Sequence, residues 1–248
     1  MLITKGIALV LSISLVASSV GMAQLDGQFA KANQEFASGD FDGAARDYED
    51  LVRAGQDTPN LFYNLGNAYF RKKDFGRAIL NYERALALDS RHPEAQANLR
   101  IARDEARSLE LVPDRMERLL AFATSNDYAA AAVIAFWLSA FGIVALIFNS
   151  RRSRGLIALI VLSLGIFALT GFAAWELEHG KSGRGLAIVT ADNTDARLAT
   201  ADTSNRVLAL PAGSEVRILS QRGDWVYAAL PNNLRGWLPA KNAEQVRM

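Results

Sequence analysis

The chain has 248 residues, 50% of them hydrophobic, with 27 lysines and arginines against 26 aspartates and glutamates and no cysteine. That length holds one or two modest domains of roughly 100–200 residues each, and the near balance of charge argues against a nucleic-acid binder. The lack of cysteine excludes disulfides, thiolate nucleophiles, redox pairs and thiolate zinc sites, and His92 and His179 are too few for a histidine-rich metal site.

The N-terminus reads "MLITKGIALVLSISLVASSVGMAQ". Lys5 is its only charge, an apolar run from Gly6 to Val16 comes next, and Gly21 and Ala23 are small residues at the −3 and −1 positions. This is the layout of a secretory signal peptide over 1–23, cleaved after Ala23, with an uncleaved anchor as the alternative. Either places the segment from Gln24 onward outside the cytoplasm.

Sliding the chain by 34 residues sets "NQEFASGDFDGAARDYEDL" on "NAYFRKKDFGRAILNYERA". Asn33 then falls on Asn67, Phe36 on Phe70, Asp40 on Asp74, Phe41 on Phe75, Ala44 on Ala78, Tyr48 on Tyr82 and Glu49 on Glu83. A repeat of this period marks stacked helix–turn–helix units. Ala32/Gly66 and Ala44/Ala78 are small where two helices cross, and Tyr48/Tyr82 fill the space toward the next unit. Asp40 and Asp74 are placed to cap the second helix of each unit. A third copy, "PEAQANLRIARDEAR", supplies only a first helix, so 24–107 reads as two full repeats and a capping helix.

This array resembles the tetratricopeptide repeat (TPR) family at "LFYNLGNAYF" and "GRAILNYERAL", with Ser90 in place of the family's proline. The resemblance implies a solenoid whose first helices line a concave groove for a protein segment. That groove would present Phe29, Asn33 and Phe36 from the first repeat and Tyr63, Asn67, Phe70 and Arg71 from the second. Packing of repeat on repeat is an equal reading for Phe36 and Phe70. Asn33 and Asn64 match the asparagines of a carboxylate clamp, but the basic positions read Phe29, Glu94 and Asn98, so a clamp is rejected.

Pro113 opens an amphipathic juxtamembrane helix within 108–127, with Met116, Leu119, Leu120 and Ala123 on one face. Residues 128–150 and 155–175 carry no charge, and each suits a hydrocarbon core of about 30 Å. Tyr128 and Trp175 stand at the two outer ends as interfacial anchors, and Ala131, Ala135 and Ser139 offer a small face for close helix packing. The loop at 151–154 holds Arg151, Arg152 and Arg154, which assigns it to the cytoplasm and both long flanks to the other side.

From 184 to 248 the pattern turns to short β-type segments, "LAIVT", "RVLAL", "EVRIL", "DWVYAAL" and "RGWLP", separated by "PAGS", "QRGD" and "PNNLRG". The "PAGSEV" turn, the "GDWVYA" strand and "RGWLP" resemble a bacterial SH3 domain, which implies a small barrel; Trp225 is expected in its core. Trp237 is left between core and a possible SH3-like ligand surface. With these resemblances the fold class is an α + β multidomain membrane protein: an α-helical TPR solenoid, a two-helix transmembrane hairpin and a small all-β SH3-like barrel.

No Cys–His pair, histidine-rich zinc site, G-x-S-x-G or P-loop is present, so no catalytic, cofactor or metal residue is assigned and an enzyme is not expected. The uncharged spans speak against an ion pathway. In "TPNLFYNLGNAYFRKKDFGRAILNYERALALDSRHPEAQANLRIARDE" and in domain order the chain resembles the Bacteroides-aerotolerance (Bat) family. That resemblance implies a multi-pass protein of the bacterial inner membrane with extracytoplasmic TPR and SH3-like domains. Its implied partners are membrane-anchored von Willebrand A-domain proteins and, indirectly, a MoxR-type AAA+ ATPase, and its implied role is a scaffold supporting oxidative-stress tolerance. The alternative is a cell-wall tether whose SH3-like domain binds peptidoglycan.

Overall fold

A computed structural model describes residues 27–113, 115–120, 122–148, 153–179 and 185–247. The signal peptide at 1–23 and Arg151 and Arg152 of the arginine loop lie outside the described residues. The chain forms two compact units. The first runs to Ser108 and takes in Thr190–Asp192 and Pro211–Gly213; the second holds Leu109–Val189, Asn193–Leu210 and Ser214–Met248.

The first unit is a row of helices: α1 over 27–38, α2 (Phe41–Arg53), α3 (Pro59–Arg71), α4 (Phe75–Leu88) and α5 (Pro93–Ala106). Asp40 and Asp74 cap α2 and α4, accepting from Gly43 N at 2.9 Å and Arg77 N at 3.1 Å. A proline at the first position of α3 and of α5 comes after a capping side chain, Thr58 and His92 respectively. Ala32, Ala44 and Ala78 are fully buried, as helix crossings require. Gly66 is the tightest of these places, because a Cβ there would meet the Tyr82 ring at 2.7 Å.

The helices α1, α3 and α5 end alike. Gly39, Lys73 and Arg107 take left-handed backbone (φ 88°, 63° and 51°) at one offset in each unit. The next amides reach back to carbonyls of the last turn: Asp40 N to Glu35 O at 2.9 Å, Asp74 N to Tyr69 O at 3.0 Å and Ser108 N to Arg103 O at 3.2 Å. Thus α5 is a complete third first helix. No full-length second helix comes after it among the described residues, only a short one at Arg115–Leu120, because Pro113 occupies the place of Ala45 and Ile79, inside what would be that helix, where proline costs about 3 kcal/mol.

In the second unit the chain instead becomes extended. Leu109 N donates to Ser214 Oγ at 3.1 Å, Glu215 N to Leu109 O at 2.8 Å and Leu111 N to Glu215 Oε2 at 3.0 Å. The expected juxtamembrane helix is accordingly shorter than 108–127: α6 covers only Arg115–Leu120. The helices α7 (Ser125–Phe148) and α8 (Arg154–His179) are long and apolar enough to cross a membrane and pack side by side. A capping box opens α7, with Thr124 Oγ1 accepting from Asp127 N at 3.2 Å and Asp127 Oδ2 accepting from Thr124 N at 3.1 Å. The face α7 buries is Ala132, Ala135, Ser139 and Gly142, so the small stripe is as expected at 135 and 139 but passes through Ala132 rather than the half-buried Ala131. The Ser139 and Ser163 hydroxyls donate to carbonyls of their own helices, at 2.7 and 3.0 Å, which lets both be buried. Large apolar side chains elsewhere on both helices, among them Leu138, Phe141, Leu162 and Leu169, are exposed.

The strands β1 (Leu186–Val189), β2 (Thr194–Arg197), β3 (Arg206–Leu210), β4 (Glu215–Arg222), β5 (Trp225–Ala229), β6 (Arg235–Pro239) and β7 (Ala243–Gln245) form an antiparallel sheet in the order β3-β2-β6-β5-β4-β1-β7. The expected closed barrel is not found: β3 and β7 are edges, and β7, three residues long, pairs only with β1. A register shift between Ile218 and Ser220 lets the sheet bend. Residues from six strands, including Ala187, Ala196, Leu210, Val216, Ala228 and Leu238, thereby share one core. Trp225 is not in it. Strand alternation buries Val226 and Ala228, and Trp225, Tyr227 and Trp237 fall on the other face, half-buried.

Candidate partner-binding site

The seven groove candidates lie on α1 and α3 and separate into two groups. In the first, Tyr48 donates its hydroxyl to Asn33 Oδ1 at 2.6 Å, and Asn64 Nδ2 donates to the same oxygen at 3.1 Å. One repeat later, Tyr82 donates to Asn67 Oδ1 at 2.7 Å and Asn98 Nδ2 donates to it at 2.8 Å. The two triads superpose residue for residue at the repeat period, since the tyrosine is 15 residues and the second asparagine 31 residues along in both. Each triad joins successive first helices, α1 to α3 and α3 to α5, and ties both to the helix between.

Aromatic side chains flank the triads. Phe29 lies 5.8 Å from the Tyr48 ring, and Tyr63 in the equivalent place lies 6.2 Å from Tyr82. Tyr63 also stacks on His92 at 5.0 Å and accepts from Asn98 Nδ2 at 3.4 Å. His92 is a buried cap of α5, its Nδ1 accepting from Ala95 N at 3.3 Å. Burial pushes the Tyr48 phenol up to about 12, and moves Tyr82 upward as well. These tyrosines are therefore neutral donors at physiological pH.

The second group sits at the turns. Phe36 meets Phe41 edge-on at 5.3 Å, and Phe70 meets Phe75 in the same way at 5.6 Å. The Arg71 guanidinium covers the Phe41 ring at 4.3 Å, so a residue of the second repeat closes the corner of the first. Phe36, Phe70 and Arg71 thus pack within the array, whereas Phe29, Asn33, Tyr63 and Asn67 line a shared row along α1 and α3. A third pair of contacts also repeats: Tyr69 donates to Glu49, and Arg103 to Glu83 at 2.6 Å.

The sequence reading missed Asn98 and His92 as members of this row. Asn98 stands one repeat period after Asn64, so carrying the alignment into the third copy reveals it. His92 is found only through burial. Trp237 belongs to neither group; its ring lies 5.1 Å from Tyr227 on the exposed face of the sheet. Among the described residues no group of three or more His, Cys, Asp or Glu could hold a metal ion.

The tetratricopeptide repeat family model matches residues 29–93, which spans α1 through α4 and the cap of α5. The chain therefore contains TPR repeats. Such arrays are as a rule non-catalytic modules for protein–protein interaction. No curated protein matches the chain.

Proposed function

We propose that the protein is a non-enzymatic scaffold of a bacterial inner membrane, anchored by α7 and α8, whose TPR row binds partner proteins. The observation that carries this reading is the repeated Asn–Tyr–Asn triad with Phe29 and Tyr63 beside it: a preorganised row of amides and rings on adjoining helices. Two long helices whose apolar side chains face outward support the anchor, because that surface needs lipid around it. On the strength of the sequence resemblance to the Bat family, the TPR and SH3-like domains lie outside the cytoplasm. The partners are membrane-anchored von Willebrand A-domain proteins, acting with a MoxR-type AAA+ ATPase in an envelope complex that supports oxidative-stress tolerance.

A second reading has its own support. Trp225 lines a cavity of about 410 Å³ on the sheet with Asp202, Asp224, Gln221 and Lys241, a mixture of ring face and polar groups that suits a sugar polymer. In that reading the sheet grips peptidoglycan and the protein is a cell-wall tether.

One experiment with two arms separates them. Full-length protein in detergent is titrated with a purified von Willebrand A-domain protein, and in parallel incubated with insoluble peptidoglycan. The scaffold reading expects saturable binding of the first that Tyr63→Ala weakens by about 2 kcal/mol, roughly thirtyfold. Binding unmoved by Tyr63→Ala and Phe29→Ala, in variants that still melt cooperatively, removes the row as the binding surface. Sedimentation with peptidoglycan and no binding of the protein partner favours the tether.

A further inference from the structure

On the outer face of the sheet, Arg217 of β4 pairs with Ala229 of β5, and Ala229 pairs with Arg235 of β6. The two arginines thus straddle a small residue, two strand spacings or about 10 Å apart. Ala229 leaves room between them, and a cavity of about 270 Å³ opens there. Three aliphatic side chains are exposed at its rim beside Asn233: Leu219, the extra residue at the register shift of β4, Leu234 and Val112. No hydrogen bond or ion pair holds the Arg235 side chain among the described residues. Paired guanidiniums beside exposed aliphatic side chains match an anion that carries its own apolar part.

Position within the second unit narrows the choice. Val112 leads through Pro113 into α6, where Met116 and Leu119 are exposed, and then through exposed Phe122 into α7. At the other end, Arg247 after β7 lies 3.6 Å from Glu178 near the end of α8. The hairpin is antiparallel, with Gly142 against Ile160 and Phe136 against Phe167, so the start of α7 and the end of α8 are at the same end. The sheet is therefore tied to one mouth of the hairpin by the pairing of Leu109–Leu111 with the start of β4, ahead of α6 and α7, and by the Arg247–Glu178 ion pair at the end of α8. We infer that the cavity between Arg217 and Arg235 is a binding site for the headgroup of an anionic phospholipid. Its phosphodiester sits between the two arginines, with paired N–H donors from the Arg235 guanidinium and the positive charge of Arg217 on its other side. The glycerol and first acyl carbons lie along Leu219, Leu234 and Val112. This inference rests on the proposed membrane-spanning role of α7 and α8. It gives the sheet a fixed seat on the bilayer surface and a preference for negatively charged membrane.

The test uses full-length protein in nanodiscs of mixed phosphatidylcholine and phosphatidylglycerol, with the lipids that remain bound after gentle extraction counted by native mass spectrometry. Wild type should retain phosphatidylglycerol in preference to phosphatidylcholine. Arg217→Gln with Arg235→Gln should cut that preference by about fivefold for each arginine. Ala229→Leu, which fills the space and leaves both charges, should cut it as well. Arg206→Gln, on the edge strand β3 and ion-paired with Asp195 at 3.6 Å, should not. Undiminished preference in either the double arginine variant or Ala229→Leu, with the melt unchanged, overturns the site. So does an equal loss in Arg206→Gln, which would mean diffuse charge, or displacement of the lipid by inorganic phosphate at equal concentration, which would mean a free anion. Wild type that incorporates stably but shows no lipid preference sinks this inference alone; wild type that does not incorporate sinks the spanning role and this inference with it.

Discussion

Asn33 and Asn67 each accept two hydrogen bonds, and each holds the hydroxyl of a tyrosine that is 1% exposed. A buried hydroxyl without a partner costs about 1–3 kcal/mol, so these asparagines serve the fold even though their positions suit a binding row. The tyrosines make a second demand on the solvent. Burial raises the phenols of Tyr48, Tyr69 and Tyr82, and the carboxylate of Glu49 adds to it at Tyr69. A raised pKa in the folded state means that the folded chain keeps protons which the unfolded chain releases. The stability these groups contribute is then fully present below the ordinary tyrosine value of about 10 and is lost as pH rises from there. For Tyr48 the loss runs to about 12. Melts monitored by circular dichroism should show the helical transition falling over that interval. Tyr82→Phe should flatten the fall while lowering the melting temperature at neutral pH, because Asn67 loses a donor. An identical alkaline profile in wild type and Tyr82→Phe would contradict this account of the phenol.

Among the elements, the first helices of the repeats show how much a period determines. Their ends fall at Gly39, Lys73 and Arg107 with one backbone turn, although only the first is a glycine. Glycine is needed more at the crossing of α3 and α4. A Cβ on Gly66 would lie 2.7 Å from two carbons of the Tyr82 ring and 3.3 Å from Ala78 O, and the ring is fixed by its bond to Asn67. Gly66→Ala should therefore cost about 1–3 kcal/mol. Gly165 and Gly171 of α8 have nothing within 4 Å of the same position, so Gly165→Ala should be neutral or favourable by up to about 1 kcal/mol. Thermal melts of the two variants in detergent give the comparison; a Gly66→Ala protein as stable as wild type would mean that α3 and α4 do not meet at this register. The array stops after α5 for an equally local reason, since Pro113 falls where a second helix would need a backbone donor.

For the whole molecule, the proposed arrangement puts the repeats and the sheet on one side of a membrane and the turn between α7 and α8 on the other. The absence of native cysteine makes a direct test clean. Cysteines introduced at the exposed positions Ala37 and Thr203 should react with an impermeant thiol reagent on intact spheroplasts, and one at Ser153 should not. Labelling at 153 from outside would reverse the topology. The sequence alone was enough for the features set by spacing along the chain: the 34-residue period, the capping aspartates, the small residues at helix crossings, two uncharged stretches long enough to span, and the main β segments. Each depends on neighbours a few residues away or on one repeated offset, and both leave a mark in one dimension. The tertiary structure alone decided where side chains from distant segments meet. It placed Asn98 and His92 beside Tyr63, put Trp225 on the outer face, left the sheet open at β3 and β7, and drew Leu109–Leu111 away from a helix to the start of β4. Strand edges, rotated faces and extended pairings are settled by partners far away in sequence, and a tryptophan or leucine carries no sign of which partner it will find.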